Sequence, residues 1–323
     1  EIGLPNQGLQ ILYEILNERD DAVAERTYAP WTDLAALLRE HDIPLFSVDT
    51  HLAASAFDVI AFNLSAELTY TNLLDMVDLA GCPVRAADRD DDDLFVAVGG
   101  HCTYNPEPIA AFVDLVVLGD GEEVVGEITE VLADWKARRV EGDASATRAD
   151  ALVALAGIDG VYVPSLYEAV HDTDGRLLET RPVDLAAPFE VEKRTIADLA
   201  DWPYPKTQLV PLTEVVHDRL NVEVFRGCTR GCRFCQAGMI TRPVRERPAE
   251  QVRTMVVEGL RRTGYDEVAL TSLSTADFSG IEGVVGAIVA GEGPDGEMGC
   301  APTDVSVSLP SLRVDAFTVG IAA

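Results

Sequence analysis

Short apolar runs alternate with helical patterns along most of the 323-residue chain, and this alternation restricts the possible folds more than any other feature. In the first half, the apolar runs lie at residues 57–65, 94–98 and 115–118, and the helical patterns at 8–17, 33–40, 71–79 and 123–138. Strands of a parallel sheet, covered by helices on both faces, have this continuous apolar character. Residues 1–140 therefore predict an α/β fold with a doubly wound, Rossmann-like sheet.

The alternation is interrupted at residues 141–215, which are rich in Asp, Pro and turn residues and predict a connector. It resumes at 216–323, with strands at 222–225, 267–271 and 305–308 and helices at 248–263 and 281–289. Roughly 100 residues cannot close a βα barrel, which typically needs about 250. We expect the opening part of an incomplete barrel. Because Glu1 leads straight into a helical pattern, we also expect a fragment that lacks the first strand of its first domain.

The composition excludes some classes of protein. A net charge of −30 is opposite to that of a nucleic-acid-coating protein, although arginines cluster at 242, 245 and 247. No segment reaches the roughly 18 apolar residues of a membrane span. Six cysteines, three of them within eight residues, suit a reducing compartment. We expect a cytoplasmic protein that does not bind membranes, with no indication of nucleic-acid binding.

Those three cysteines, Cys228, Cys232 and Cys235, follow the strand at 222–225 directly. Three thiolates in one short loop can wrap one side of a cube-shaped iron–sulfur cluster, and they leave one iron open for another ligand. Gly227 and Gly231 relieve crowding where the backbone must curl around the cluster.

Two other metal centres use cysteines in this way. Structural zinc needs a fourth Cys or His, and none lies at zinc spacing. A plain electron-transfer cluster needs a fourth cysteine, for which Cys300 is the downstream candidate. We otherwise expect Cys82, Cys102 and Cys300 to be small buried hydrophobic residues.

The CxxxCxxC spacing, with the aromatic Phe234 before the last cysteine, resembles the radical S-adenosylmethionine (radical SAM) superfamily. The resemblance implies a [4Fe–4S] cluster whose open iron binds S-adenosylmethionine, and Phe234 near the adenine. It also implies reductive cleavage of S-adenosylmethionine to methionine and a 5′-deoxyadenosyl radical. No catalytic side chain is assigned.

Further cofactor contacts are expected after the second and third strands of the barrel. In place of a GGE-type stretch, the second strand is followed by Ser272, Ser274 and Asp277, which we predict to contact the methionine part of S-adenosylmethionine. A helix-capping role for Asp277 is an open alternative. After the third strand, Ser308 and Arg313 are candidate contacts to the ribose or the carboxylate.

The upstream domain resembles the cobalamin-binding domain that precedes many radical SAM barrels. The predicted crevice is lined by Gly99, Gly100, His101, Gly119 and Gly121, at the ends of strands where ligands of open α/β sheets bind. The DxHxxG motif that ligates cobalt is absent from residues 1–8. Cobalamin bound without a protein ligand to cobalt, and a scaffold that no longer binds it, both remain open.

The order of domains, with the phrases CRFCQAGMITRPVRER and SLPSLRVD, is similar to that of an uncharacterised bacterial group of radical SAM proteins with a B12-binding domain. The resemblance implies an enzyme that modifies an unknown substrate by radical chemistry, by methylation or methylthiolation. It also implies an electron donor such as flavodoxin or ferredoxin. The alternatives are an iron–sulfur electron carrier and a cobalamin-sensing module without radical catalysis.

Overall fold

The computed structural model describes residues 3–202, 205–293, 305–313 and 315, which form two compact units. The N-terminal unit comprises residues 16–195, and the cysteine unit comprises residues up to 15 together with those from 196 onward. The first helix, α1 (Gln7–Asn17), therefore lies mostly in the cysteine unit. These units differ from the predicted boundaries at 140 and 215. Across the described residues, the helices are too short or too polar to cross a bilayer.

The N-terminal unit is built on one four-stranded sheet. Its strands, in spatial order, are β1 (Val59–Asn63), β2 (Phe95–Gly99), β3 (Leu115–Val117) and β4 (Val161–Tyr162). The first three are parallel and β4 is antiparallel to β3. The helices of this unit are α2 (Thr32–Glu40), α3 (Tyr70–Leu79), α4 (Val124–Val140) and α5 (Arg148–Ala156).

Both faces of this sheet are buried. In β2, Val96 and Val98 belong to the core that includes side chains of α2 and α3, whereas Phe95 and Ala97 belong to a second core with α4 and α5. Successive side chains of a strand point to opposite faces, so a strand covered on both sides must be apolar at every position. The predicted α/β fold with a parallel sheet is confirmed.

The region predicted as a connector contains regular structure. Helix α5 packs on α4, and Thr147 caps it by accepting a hydrogen bond from the backbone N–H of Asp150. A hairpin follows, formed by β5 (Tyr167–His171) and β6 (Leu177–Pro182). Its turn is closed by a hydrogen bond from the backbone N–H of Gly175 to the carbonyl of Asp172, and Gly175 has a φ of +78°.

The cysteine unit contains a separate three-stranded parallel sheet in the order β11, β10, β7. Its strands are β7 (Leu220–Glu223), β10 (Glu267–Thr271) and β11 (Ser306–Ser308), and its longer helices are α7 (Ala249–Thr263) and α8 (Ile281–Ala290). A short antiparallel pair, β8 (Phe225–Arg226) and β9 (Arg245–Glu246), and the helix α6 (Ala237–Ile240) lie between β7 and α7. Across the described residues, the sheet is open and does not form a closed barrel.

Helix α7 approaches β7 closely because it has a glycine at the contact. A Cβ atom at Gly259 would lie 2.7 Å from Leu220 Cδ2, so a larger residue would displace one of them. The helix ends at Gly264, which adopts the left-handed conformation with a φ of +74° and closes the last turn onto the carbonyl of Leu260. The tight packing fixes α7 against the strand that leads into the cysteines.

Candidate functional site

The predicted barrel residues share one edge of the cysteine-unit sheet. Because β7, β10 and β11 are parallel, the loops that follow them leave from the same edge. The first loop carries the three cysteines, the second carries residues 272–277, and the third carries residues 309–313. Ligands of parallel α/β folds bind at this carboxyl edge.

The cysteines lie on a long loop, residues 227–244, whose two ends are held together by the pairing of β8 with β9. Strands β8 and β9 pair at Phe225–Glu246 and Arg226–Arg245, so residues 227–244 leave and return at one place. At this base, Gly227 has a φ of +93°, and a Cβ atom there would lie 2.4 Å from the carbonyl oxygen of Pro243. A glycine is required because both the conformation and the space exclude a side chain.

Two of the three cysteines face Gly238. The backbone N–H of Gly238 donates a hydrogen bond of 3.3 Å to Cys235 Sγ. A Cβ atom at Gly238 would lie 3.5 Å from Cys235 Sγ and 3.8 Å from Cys228 Cβ, so both cysteines border the same small space. Cys232 is exposed.

The donor set fits iron–sulfur chemistry. Three free thiols lie within eight residues of one loop, and at least one of them accepts a backbone hydrogen bond that stabilises negative charge on sulfur. Among the described residues, no three Cys, His, Asp or Glu side chains are already gathered at metal-binding distances. The thiols are therefore suitable in type and in sequence position. Cys300 lies outside the described residues.

The arginines after the cysteines bind the backbone. Arg242 Nε donates to the carbonyl oxygens of Cys228 (3.2 Å) and Gly238 (3.1 Å). Arg245 and Arg247 are buried and donate to carbonyls of the preceding segments. Arg245 and Arg247 therefore hold the chain in place and do not form the local basic groove that their spacing allowed.

A carboxylate joins the three loops of the site edge. Asp277 Oδ2 accepts a hydrogen bond of 2.8 Å from Arg230 Nε, and Arg230 forms a second bond to Oδ1. The same carboxylate accepts from Ser274 Oγ at 2.7 Å and from Arg313 Nη1 at 3.1 Å. The Arg230 guanidinium, followed by the Ser274 hydroxyl and the charge of Arg313, lowers the pKa of Asp277 to about 2.

These contacts account for Asp277 without helix capping, because α8 begins at Ile281 after Gly280. Ser272 Oγ lies 3.1 Å from Thr275 Oγ1, and Ser308 Oγ accepts from Arg219 Nη1 at 3.1 Å. The structure thus brings Asp277 and Arg313 together with Ser274, but it places Ser308 in a contact with the strand region.

Phe234 lies at the surface. Its side chain is 92% exposed, on the same loop as the cysteines. A large exposed aromatic ring on the cysteine loop offers a surface for a planar ligand. The sequence analysis noted the arginine cluster that includes Arg242 but missed Arg230, which stands within the cysteine spacing, where a cationic donor can reach a carboxylate of a neighbouring loop.

The predicted cobalamin crevice of the N-terminal unit is partly filled by the chain itself. Gly119 has a φ of +100°, and a Cβ atom there would lie 2.0 Å from the backbone oxygen of Arg194, whose segment pairs with it in parallel. At Gly100, with a φ of +103°, a Cβ atom would lie 2.7 Å from Asn63 Oδ1. These two glycines are required by internal packing.

The rest of this edge is more open. Apart from its chain neighbours, no atom of the described residues lies within 4 Å of a Cβ placed at Gly99, and His101 is exposed. The carbonyl of Gly121 accepts from Val125 N at the start of α4. The chain therefore fills the end of β3 at Gly119 and the position of Gly100, whereas the position of Gly99 is open. Cys82 and Cys102 are buried as predicted, and burial raises the pKa of both thiols.

Comparison with known proteins gives three findings. A family model for the N-terminal region of radical SAM proteins matches residues 8–164. An uncharacterized protein of Methanocaldococcus jannaschii is 25% identical over 243 residues, which cover 74% of this chain and 44% of that protein. The fold is similar to TsrM of Kitasatospora setae, a radical S-adenosylmethionine methyltransferase with cobalamin and a [4Fe–4S] cluster bound, at a TM-score of 0.50 and 13% identity.

The TsrM match covers 89% of this chain and 50% of TsrM. The chain thus spans about half the length of the proteins that it matches. The similarity to TsrM concerns the fold, and it extends across both units.

Proposed function

We propose that this chain is a member of the radical SAM superfamily and that its Cys228, Cys232 and Cys235 hold a [4Fe–4S] cluster that binds S-adenosylmethionine. The observation that carries the proposal is the closed loop at residues 227–244, which places three thiols at the carboxyl edge of a parallel sheet. When bound, the cluster would supply the electron that cleaves S-adenosylmethionine and starts radical modification of a substrate.

The side chains and backbone of this chain have supporting tasks. The Gly238 N–H stabilises thiolate charge on Cys235, and Arg242 fixes the carbonyls of Cys228 and Gly238. The exposed ring of Phe234 would pack against the adenine and exclude water from it. Ser272 and Ser308 would offer hydroxyl groups to S-adenosylmethionine, each after exchanging its present partner.

We infer methyl transfer as the reaction class, with methylthiolation as the alternative. The support is the fold similarity to a radical SAM methyltransferase. The reducing electron would come from a donor such as flavodoxin or ferredoxin.

A cobalamin site in the N-terminal unit is part of this proposal. The open edge near Gly99 and His101 would receive the corrin, while the segment at Arg194 closes the end of β3. Residues 1–8 carry no DxHxxG motif, and we propose that His101 does not bind cobalt in its place. Substitution His101→Ala should then leave the visible spectrum of bound cobalamin unchanged. A shifted spectrum would show that His101 binds cobalt.

The decisive experiment uses the whole protein after anaerobic reconstitution with iron and sulfide. We expect the EPR spectrum of the reduced cluster to change on addition of S-adenosylmethionine, and 5′-deoxyadenosine to form. Cys232→Ala should abolish both the cluster and the product, because two thiols cannot hold a cubane that has an open iron. Cys82→Ala, which removes a buried thiol elsewhere, is the matched control and should retain both.

Other outcomes would replace the proposal. A cluster whose EPR spectrum ignores S-adenosylmethionine, with no 5′-deoxyadenosine formed, would favour an iron–sulfur electron carrier. Cobalamin binding that is unaffected by Cys232→Ala, in a protein without a cluster, would favour a cobalamin-sensing module.

A further inference from the structure

We propose that Asp277 is a positioning residue for the cysteine loop, which it holds through Arg230, and that it is not a ligand of S-adenosylmethionine. The inference rests on the proposed function at one point only, namely that the loop held by Asp277 is the loop that binds the cluster. The contacts are made between side chains of this chain alone. Arg230 stands between Cys228 and Cys232, so any atom that fixes its guanidinium also fixes the middle of the cysteine spacing.

The hydrogen bonds of the Asp277 carboxylate are already taken. Its two oxygens accept hydrogen bonds from four donor atoms, which are Arg230 Nε and Nη2, Ser274 Oγ and Arg313 Nη1. A carboxylate has about four lone-pair positions, so these donors leave little capacity for the ammonium group of a ligand. In this proposal Asp277 therefore binds side chains of its own chain, in place of the contact with S-adenosylmethionine that the sequence predicted.

The geometry is stronger than that of an ordinary surface ion pair. The Arg230 guanidinium approaches through Nε and Nη2 together, the two-point arrangement in which planar recognition adds to the charge. The Asp277 side chain is 21% exposed, and Ser274 beneath it is 2% exposed. Exposed single pairs contribute little, whereas networks with fixed geometry contribute more.

The network also links loops that are distant in sequence. Arg230 belongs to the loop after β7, Asp277 follows β10, and Arg313 follows β11. One carboxylate therefore ties all three loops of the site edge. Arg230 connects it to the cysteines, and Arg313 connects it to the third loop.

The test measures amide hydrogen exchange in the whole protein without iron, in peptides that cover residues 226–240. Asp277→Asn and Arg230→Met should each raise exchange there by roughly tenfold, the factor for losing one or two charge-assisted hydrogen bonds. Asp277→Glu, which keeps the charge, should restore most of the protection. Arg313→Met should affect this segment less, because it does not contact the cysteine loop directly.

Glu250→Gln is the matched control, because it removes the Arg253–Glu250 pair on α7 of the same unit. It should leave exchange at 226–240 unchanged. Exchange in β7, measured in the same samples, reports general destabilisation and should stay constant in every variant. Unchanged exchange at 226–240 in both Asp277→Asn and Arg230→Met would overturn the proposal. So would a loss of S-adenosylmethionine affinity without any change in the iron-free loop.

The same variants are then reconstituted. Asp277→Asn should take up less iron than Glu250→Gln and give a broadened EPR spectrum, because its thiols sample more positions. If the wild-type protein holds no cluster while Asp277→Asn still loosens the loop, the proposed function fails and the positioning role stands. If the wild-type protein cleaves S-adenosylmethionine while substitution of Asp277 leaves amide exchange at 226–240 of the iron-free protein unchanged, the positioning role fails and the proposed function stands.

Discussion

Each unit of the molecule contains an aspartate held by two arginines, and the two aspartates lie at opposite ends of their sheets. In the N-terminal unit, Asp114 pairs with Arg89 at 2.7 Å and with Arg148 at 2.9 Å. In the cysteine unit, Asp277 pairs with Arg230 and Arg313. Asp114 directly precedes β3, whereas Asp277 follows β10.

Burial separates the roles of these two similar groups. The side chain of Asp114 is 2% exposed and that of Asp277 is 21% exposed. Asp114 also accepts from the backbone N–H of Val96, so it joins β2 to β3 where no ligand is expected. Asp277 joins the loops that follow β7, β10 and β11 at the carboxyl edge of the sheet, where ligands of α/β folds bind. The same ion-pair pattern therefore serves the scaffold at the amino ends of strands and the site at the carboxyl ends.

The largest expected effect is at the buried group. Asp114→Asn should lower the free energy of unfolding of the N-terminal unit by about 3–5 kcal/mol, because two buried guanidinium groups lose their counter-charge. Urea unfolding followed by the fluorescence of Trp135, which is buried in the same unit, measures this change. Asp75→Asn removes an exposed pair with Arg39 and should cost less than about 1 kcal/mol. Equal effects of the two substitutions would remove the distinction between buried and exposed groups.

An intermediate effect is expected where the chain crosses the end of β3. Gly119→Ala should destabilise the N-terminal unit by about 2–4 kcal/mol. The alanine would have to adopt a left-handed backbone conformation, and its Cβ would clash with the backbone of Arg194. Gly142→Ala is the control, because Gly142 has a φ of +82° with no atom within 4 Å of its Cβ position. It should cost about 1–2 kcal/mol.

The difference between these two glycine variants isolates the contact with Arg194. Thermal unfolding followed by circular dichroism measures both. If Gly119→Ala costs no more than Gly142→Ala, the segment at Arg194 yields easily, and the end of β3 is open to a ligand after all.

The smallest effect is a pH dependence at the site edge. Asp277 has a pKa of about 2 in the folded chain, chiefly because of Arg230, against about 3.9 in an unfolded chain. Its ionised form therefore stabilises the fold fully above about pH 4, and this contribution is lost as the pH falls toward 2. The difference in urea midpoint between the wild type and Asp277→Asn should shrink between pH 5 and pH 3. A constant difference would show that the charge of Asp277 does not matter.

The sequence predicted the elements with strong apolar patterns and missed those with weak ones. Strand β2 and helix α7 were predicted within one or two residues, because each buries a regular set of side chains. Helix α5 was missed since it lies in an Asp-rich stretch and has little amphipathic contrast. The two-residue strands β8 and β9 have no pattern at all, although their pairing closes the cysteine loop.

The site could be predicted in its chemistry and not in its contacts. The three cysteines are recognisable because their spacing is local. The partners of Asp277 come from residues 47 and 36 positions away, and no local pattern encodes such a meeting. Likewise, Gly119 was expected to admit a ligand, and only the fold reveals that Arg194 lies against it.

The hydrogen bonds of Arg242 and Arg245 to backbone carbonyls bear on how the protein should respond to ionic strength. Each carbonyl is a neutral dipole at hydrogen-bond distance, so dissolved ions screen these bonds far less than they screen separated surface charges. With a net charge of −30, the whole chain repels itself, and added salt relieves that repulsion. Salt should therefore stabilise the protein as a whole and leave the hydrogen bonds of Arg242 and Arg245 intact, whereas it weakens the partly exposed ion pair between Arg230 and Asp277.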